Sequence, residues 1–291
     1  MSNPKSQHYV PQYYLAGFTD NSSNNLISVY EKGTARHFRT SPQNIAVETY
    51  FYAYTKPDGT LENSFESYLA NDIEASANPV IDKIRNYQPI SLAEKVAFAT
   101  YIAVQLKRVP AVRAQVQQNA PNIVQSIRQE LVAEFERAIA ENPEKAAILE
   151  ANREKALAYL EEVQQNVPKQ IQIQLITPSL AGYINAMTWQ FLVFNRATPF
   201  LTSDNPVFYF KSIGIGQAMS EITFPISKSI ALWVTWRQDL VEGYVQTTEQ
   251  CVRQINQRTA STAHRYIFSP VETHWISNLA KQTNFDLRIL K

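Results

Sequence analysis

The sequence predicts an α+β fold, with a helical middle packed on a small antiparallel sheet built from both ends of the chain. Three observations predict it. Short alternating or aromatic-rich runs cluster before residue 60 and again after residue 188. Between them, apolar residues recur every three or four positions, the helical period. No flexible linker, internal repeat or low-complexity segment divides the two patterns, so residues 1–291 are expected to form a single α+β domain.

The elements follow in order. Pro11 suits a helix first turn, where its missing N–H costs little, and a short helix to Phe18 places Tyr14, Leu15 and Phe18 on one face. Residues 20–25 read as a polar loop. Ile27-Ser28-Val29-Tyr30 and Arg36-His37-Phe38-Arg39 read as a strand and its return, with Gly33 between them. Tyr50-Phe51-Tyr52-Ala53-Tyr54 reads as a third strand, closed by a turn at Pro57-Asp58-Gly59. Residues 61–85 are helical, with a kink or break at Pro79. Ser91-Leu92-Ala93-Glu94 is a capping box that starts a helix to Arg108, stopped or bent by Pro110. Residues 122–140 form a further helix with Ile127, Leu131, Phe135 and Ile139 as a core stripe, and residues 144–165 a charged, solvated one. Residues 170–175 alternate like a strand, but residues 170–186 are read as one long helix. Strands then follow at 189–194, 200–202, 207–210, 222–226, 230–236 and 265–268, with helices at 247–264 and 273–281.

Composition removes several functions. The chain has 27 basic and 26 acidic residues, so no overall field draws it to nucleic acid or an anionic membrane, although a local basic groove remains open. The single cysteine, Cys251, excludes an intrachain disulfide framework and a multi-cysteine zinc site. The four histidines include no metal-type pair. Glycine is scarce, with neither a Walker pattern nor a dinucleotide fingerprint, and no cofactor is expected. The polar start lacks an apolar signal core and no apolar run spans a bilayer, so a soluble cytoplasmic protein is expected.

The stretch Pro199-Phe-Leu-Thr-Ser-Asp-Asn-Pro-Val-Phe-Tyr-Phe210 concentrates the chemistry. Apolar runs flank a turn-forming polar knot, so Asp204 is expected at the end of a buried strand, where burial can shift its pKa. Asp204 is a candidate general base or electrostatic stabiliser and Asn205 a candidate for positioning water or substrate. Equally, an Asp at a turn caps backbone N–H groups. His8, before the proline-started helix, is a candidate acid or base or a helix-entry hydrogen bond. Gln105 and Arg108 share a helix face and can hold a phosphate or carboxylate, unless Arg108 only satisfies helix-end carbonyls. Glu62, Glu66 and Glu74 can join Asp204 around a divalent metal or form a solvated face. Tyr9 and Tyr13, with Tyr14, Tyr50, Tyr52 and Tyr54, can stack a base or fill the core.

His8-Tyr-Val-Pro-Gln-Tyr-Tyr-Leu15, the glutamate-bearing helix through Glu74, Gln105-x-x-Arg108-x-Pro110, Trp189 and Leu201-Thr-Ser-Asp-Asn-Pro-Val207 occur in this order. Together with Phe224-Pro225-Ile226-Ser227 and the region from Asn256 to Tyr266, they resemble the bacterial domain-of-unknown-function family 4238. The resemblance spans most of the chain. It implies one domain and a shared polar centre of His8, Gln105, Arg108 and Asp204. It also implies an association with bacterial defence against phage, with DNA as the target. The expected function is therefore an anti-phage hydrolase acting on DNA. The expected reaction is metal-independent N-glycosidic cleavage, with catalytic Asp204, His8 and Asn205 and substrate-binding Gln105, Arg108, Tyr13 and Tyr9. A metal-dependent nuclease using Asp204 with Glu66 or Glu74 is one alternative, and a non-catalytic sensor or interaction module is another.

Overall fold

Two sheets share the segment 199–210. The computed structural model describes residues 5–20, 24–56, 58–164 and 166–290. The chain opens with β1 (Ser6–His8), α1 (Gln12–Leu15) and a 3₁₀ turn, then β2 (Ile27–Glu31), β3 (His37–Thr40), β4 (Val47–Thr49), β5 (Tyr54–Thr55) and β6 (Leu61–Glu62). The helical middle is α2 (Ser64–Tyr68), a π-helical turn (Leu69–Glu74), α3 (Ala75–Arg85), α4 (Leu92–Gln105), α5 (Pro110–Glu141), α6 (Ala146–Val163), α7 (Val167–Gln174) and α8 (Pro178–Ala186). The remainder is β7 (Thr188–Val193), β8 (Thr202–Ser203), β9 (Phe208–Tyr209), β10 (Glu221–Ser227), β11 (Ile230–Thr235), β12 (Gly243–Gln246), α9 (Glu249–Thr262), β13 (Tyr266–Ser269) and α10 (His274–Lys281).

The predicted α+β class is correct, and the sheet built from both ends is the four-stranded one, β3-β2-β13-β8. A second, five-stranded sheet, β12-β7-β11-β10-β9, comes wholly from residues after 187. Its edge strand β12 runs parallel to β7 and has no counterpart in the sequence reading. β8 belongs to one sheet and β9 to the other, so the polar knot between them sits where the sheets join.

Local chemistry explains most boundaries. Ser91 and Glu94 make both bonds of the capping box that opens α4. Pro110 does not merely end that helix; after a turn it becomes the first residue of α5. Pro79 and Pro121 lie inside continuous helices, on exposed sides. There water can meet the carbonyl each ring frees, so the expected break at Pro79 does not occur. The irregularity lies just before α3, in the π turn. Residues 170–186 form two helices rather than one, separated before Pro178.

Two expectations fail for identifiable reasons. Tyr50 to Tyr54 is not a continuous strand, because Tyr50 adopts φ +53° and the chain turns to bury Phe51 and Tyr52. Pro57 of the predicted turn lies outside the described residues, while Gly59 turns at φ +81°. The stripe Ile127, Leu131, Phe135 and Ile139 is not core. α5 packs along α6, and these side chains stay half-buried or exposed. The core instead gathers where α1 and α4 meet the five-stranded sheet. Tyr14 stacks on Phe224 at 5.0 Å, Phe98 on Tyr101 at 5.6 Å, and Trp189 closes the group while its Nε1–H donates to the carbonyl of Ile184.

Candidate functional site

Gln105 and Arg108 lie at the end of α4 and in the turn after it, and both are buried. Both reach back to the segment before α1. Arg108 Nη2–H donates to the carbonyl of His8 at 2.6 Å, and Gln105 Nε2–H donates to that of Tyr9 at 3.0 Å. Arg108 uses its other nitrogens as well: Nη1 reaches Glu74 Oε1 at 2.7 Å and Nε reaches the Tyr52 hydroxyl at 3.0 Å. The Tyr52 hydroxyl in turn donates to the Arg108 carbonyl. Glu74 arrives on the π turn, a local widening that often re-aims a functional side chain.

Around this ion pair the polar satisfaction is incomplete. Glu66 Oε2, Asn78 Oδ1, Tyr101 Oη and Gln105 Oε1 are buried with no hydrogen-bond partner. Such atoms are rare in folded proteins and point to function or to bound water. Burial, opposed by Arg108 and reinforced by Glu74, pushes the Glu66 carboxyl up to about 7. The side chain remains half-buried, so a proton can enter and leave. Burial also lowers the His8 imidazole, which is therefore neutral at pH 7. Its ring nitrogens face the Gln43 carbonyl at 3.2 Å and Gln12 Nε2 at 3.4 Å.

The Glu66 shift has a measurable consequence. Between about 4.5 and 7 the folded protein holds a proton that the unfolded chain has released, so stability falls as pH rises through that window and levels off above it. Glu66→Gln, neutral at every pH, is expected to abolish this slope. It should stabilise the protein at pH 8 by about 1–2 kcal/mol, after discounting for the solvent that reaches a half-buried group. Urea melts at pH 5 and pH 8 measure the difference.

Asp204 directs its hydrogen bonds elsewhere, although its charge, after burial, raises the hydroxyl pKa of Tyr9, whose carbonyl Gln105 holds. It follows β8, buried, with its own N–H donating to the Tyr266 carbonyl. Its oxygens accept the backbone N–H groups of His264 (2.7 Å), Arg265 (2.6 Å) and Tyr266 (2.9 Å). The carboxylate thus fastens the turn between α9 and β13. Burial raises its pKa, against the pull of those three N–H groups. The expected single polar centre is therefore corrected. His8, Gln105 and Arg108 converge through two backbone carbonyls, whereas Asp204 is turned towards residues 264–266 because backbone N–H groups there need an acceptor. Among the described residues no group of three or more His, Cys, Asp or Glu side chains is placed to hold a metal ion, and two of the carboxylates proposed as ligands are engaged otherwise: Asp204 by backbone N–H groups and Glu74 by Arg108.

Tyr9 and Tyr13 have different surroundings. Tyr9 is buried against Phe51 at 5.4 Å, and Tyr13 is exposed, with its hydroxyl donating to Asp82 and Arg85 5.8 Å from its ring. Asn205 donates from Nδ2 to the Thr262 carbonyl at 2.9 Å and lines a groove. That groove lies between the α4–α5 turn, α5, α7 and the segment joining the sheets. Its cavity of about 470 Å³ adjoins another of about 480 Å³, and Lys107, Lys211 and Tyr209 line both. Neither lining includes an Asp or Glu. Burial first, and then the charge of Lys211, lowers the Lys107 ammonium, and among the described residues no carboxylate neutralises either lysine. The sequence reading missed this pair. Lys107 stands beside Arg108 yet lines the groove while Arg108 is buried, and Lys211 follows the β9 strand on which Tyr209 sits.

Among the described residues no helix is long and apolar enough to cross a membrane. No curated protein and no solved structure matches this chain. A family model does match it, over residues 6–272, and the chain belongs to that family, described as protein of unknown function (DUF4238).

Proposed function

We propose that this protein binds nucleic acid along the Lys107–Lys211 groove. The observation that carries the reading is a pair of neighbouring ammonium groups in a concave site with no acid in its lining. Their mutual repulsion is relieved when a phosphate backbone lies between them. Tyr209 offers a ring face to a base, and Asn205 a polar edge. Lys107→Glu with Lys211→Glu is expected to weaken binding of a labelled DNA strand by on the order of tenfold or more at low salt. The slope of log affinity against log salt should fall by about 0.7 for each phosphate of the single strand that is no longer neutralised. Fluorescence anisotropy measures both, with Lys155→Glu on the exposed face of α6 as control. Unchanged affinity and slope in the double variant would exclude the groove.

Hydrolysis of an N-glycosidic bond is the second reading, and the Glu66 carboxyl favours it. Base excision needs a carboxyl group that can hold or release a proton near neutral pH. Asp204 has both oxygens engaged by backbone, whereas Glu66 has one oxygen unpartnered and lies within reach of the charges of Arg108 and Glu74. Phage DNA, plain and base-modified, is the substrate class to offer, and abasic sites are the product to assay. Loss of product in Glu66→Gln, with strand binding retained, is the expected outcome for an enzyme. Binding without product from any DNA identifies an interaction module.

A further inference from the structure

Residues 282–290 follow α10 without regular structure, and most of their side chains are exposed. Leu290 is the exception at 3% exposure, seated among Leu192, Phe200, Trp233 and Val252. Beneath it lies an ion pair buried on both sides, Arg258 of α9 with Glu221 of β10. This pair meets the segment's backbone. Arg258 donates to the carbonyl of Arg288, and the N–H of Leu290 donates to Glu221 Oε1 at 3.1 Å. In an extended chain the carbonyl of one residue and the N–H two residues later point to the same side. Arg258 and Glu221 therefore hold the segment as a neighbouring strand would, through main-chain bonds that require no particular sequence, while the apolar pocket selects one aliphatic side chain.

Two features separate this arrangement from ordinary core packing. A buried ion pair is an expensive way to gain stability, because desolvation offsets most of the attraction. Arg258 also keeps Nε and Nη1 without hydrogen-bond partners, its guanidinium carbon lying over the rings of Phe208 and Phe210 at 5.0 and 5.1 Å. In addition, Glu221 and Arg258 lie within the family-matched residues 6–272, and the segment they hold lies outside them.

We propose that the cleft formed by Arg258, Glu221 and the Leu290 pocket is a binding site for an extended peptide carrying an aliphatic residue, filled in this structure by the chain's own residues 288–290. The segment is a tethered ligand and leaves the cleft without unfolding the sheet. A peptide of the same sequence, supplied in trans, takes its place. This inference is independent of what the lysine groove binds.

Native-state hydrogen exchange on the full chain tests the first half. The Leu290 amide is expected to exchange on the order of a hundredfold faster than the amides paired between β10 and β11, as befits a locally opening segment. Exchange in step with that core would show that the segment is part of the cooperative fold, and would overturn the proposal. The second half uses a fluorescein-labelled peptide of residues 282–290. The wild-type chain should bind it weakly, because a tethered competitor acts at an effective concentration in the millimolar range. Leu290→Asp in the full chain should bind it about tenfold tighter or more, and should not bind a peptide carrying the same substitution. Fast exchange with no gain of binding by a folded Leu290→Asp chain would mean a frayed end only, and overturns the proposal. If that variant does not fold, Leu290→Ala replaces it, with the same two outcomes.

Discussion

Asp204→Ala is expected to lower the stability of this protein by about 3–5 kcal/mol, whether or not the protein has an activity to lose. The physical reason is the accounting of donors. Three N–H groups, of His264, Arg265 and Tyr266, converge on the one carboxylate, itself buried, and truncation leaves all three part-buried donors without their acceptor. The loss spreads, because the fastened turn sets the register of β13, which pairs with β2 on one side and β8 on the other. Asp204→Asn keeps one acceptor oxygen but turns an NH₂ group towards N–H donors, so it should still cost about 1–3 kcal/mol. Urea denaturation followed by circular dichroism measures both. A fully stable Asp204→Ala protein that no longer binds or processes DNA would reverse the assignment, giving the carboxylate to a ligand rather than to the backbone.

That outcome marks where sequence reading reached and where it stopped. The turn-forming knot at 203–206 correctly placed Asp204 after a buried strand, because Ser, Asp, Asn and Pro act locally. What the carboxylate touches is not local. Its partners lie 60–62 residues away, and no periodicity encodes them. The capping box at Ser91 was legible for the same local reason, and the three-residue spacing of Gln105 and Arg108 did put both on one side, reaching adjacent carbonyls. The α5 stripe misled, since helical spacing shows that apolar residues share a face but not that anything large covers it. Lys107 and Lys211 were invisible for a further reason. A lysine at a helix end or after a strand is ordinary, and only the absence of acids in the folded lining makes this pair notable.

Arg108 carries the other large effect. Its guanidinium is 1% exposed and meets three partners in three directions: Glu74, the Tyr52 hydroxyl and the His8 carbonyl. Arg108→Ala removes the cation from a pair whose acid is itself only 23% exposed, and leaves the β1–α1 connection without its anchor. Breaking a buried pair from one side typically costs about 3–5 kcal/mol, and that loss is expected here. Arg108→Lys should recover only part of it, because one ammonium cannot reproduce a planar fork. The substitution should also act on Glu66. Arg108 is the cation that opposes the burial of that carboxyl, so Arg108→Ala should move the folded-state titration midpoint of Glu66, which is the upper limit of the stability slope, above its present value of about 7. Melts of Arg108→Ala with and without Glu66→Gln, across pH 5 to 9, measure the coupling. If the midpoint stays where it is, the Arg108 centre does not govern the Glu66 proton. If it moves upward, Arg108 and the proton held by Glu66 form one electrostatic unit, the property an acid–base centre requires.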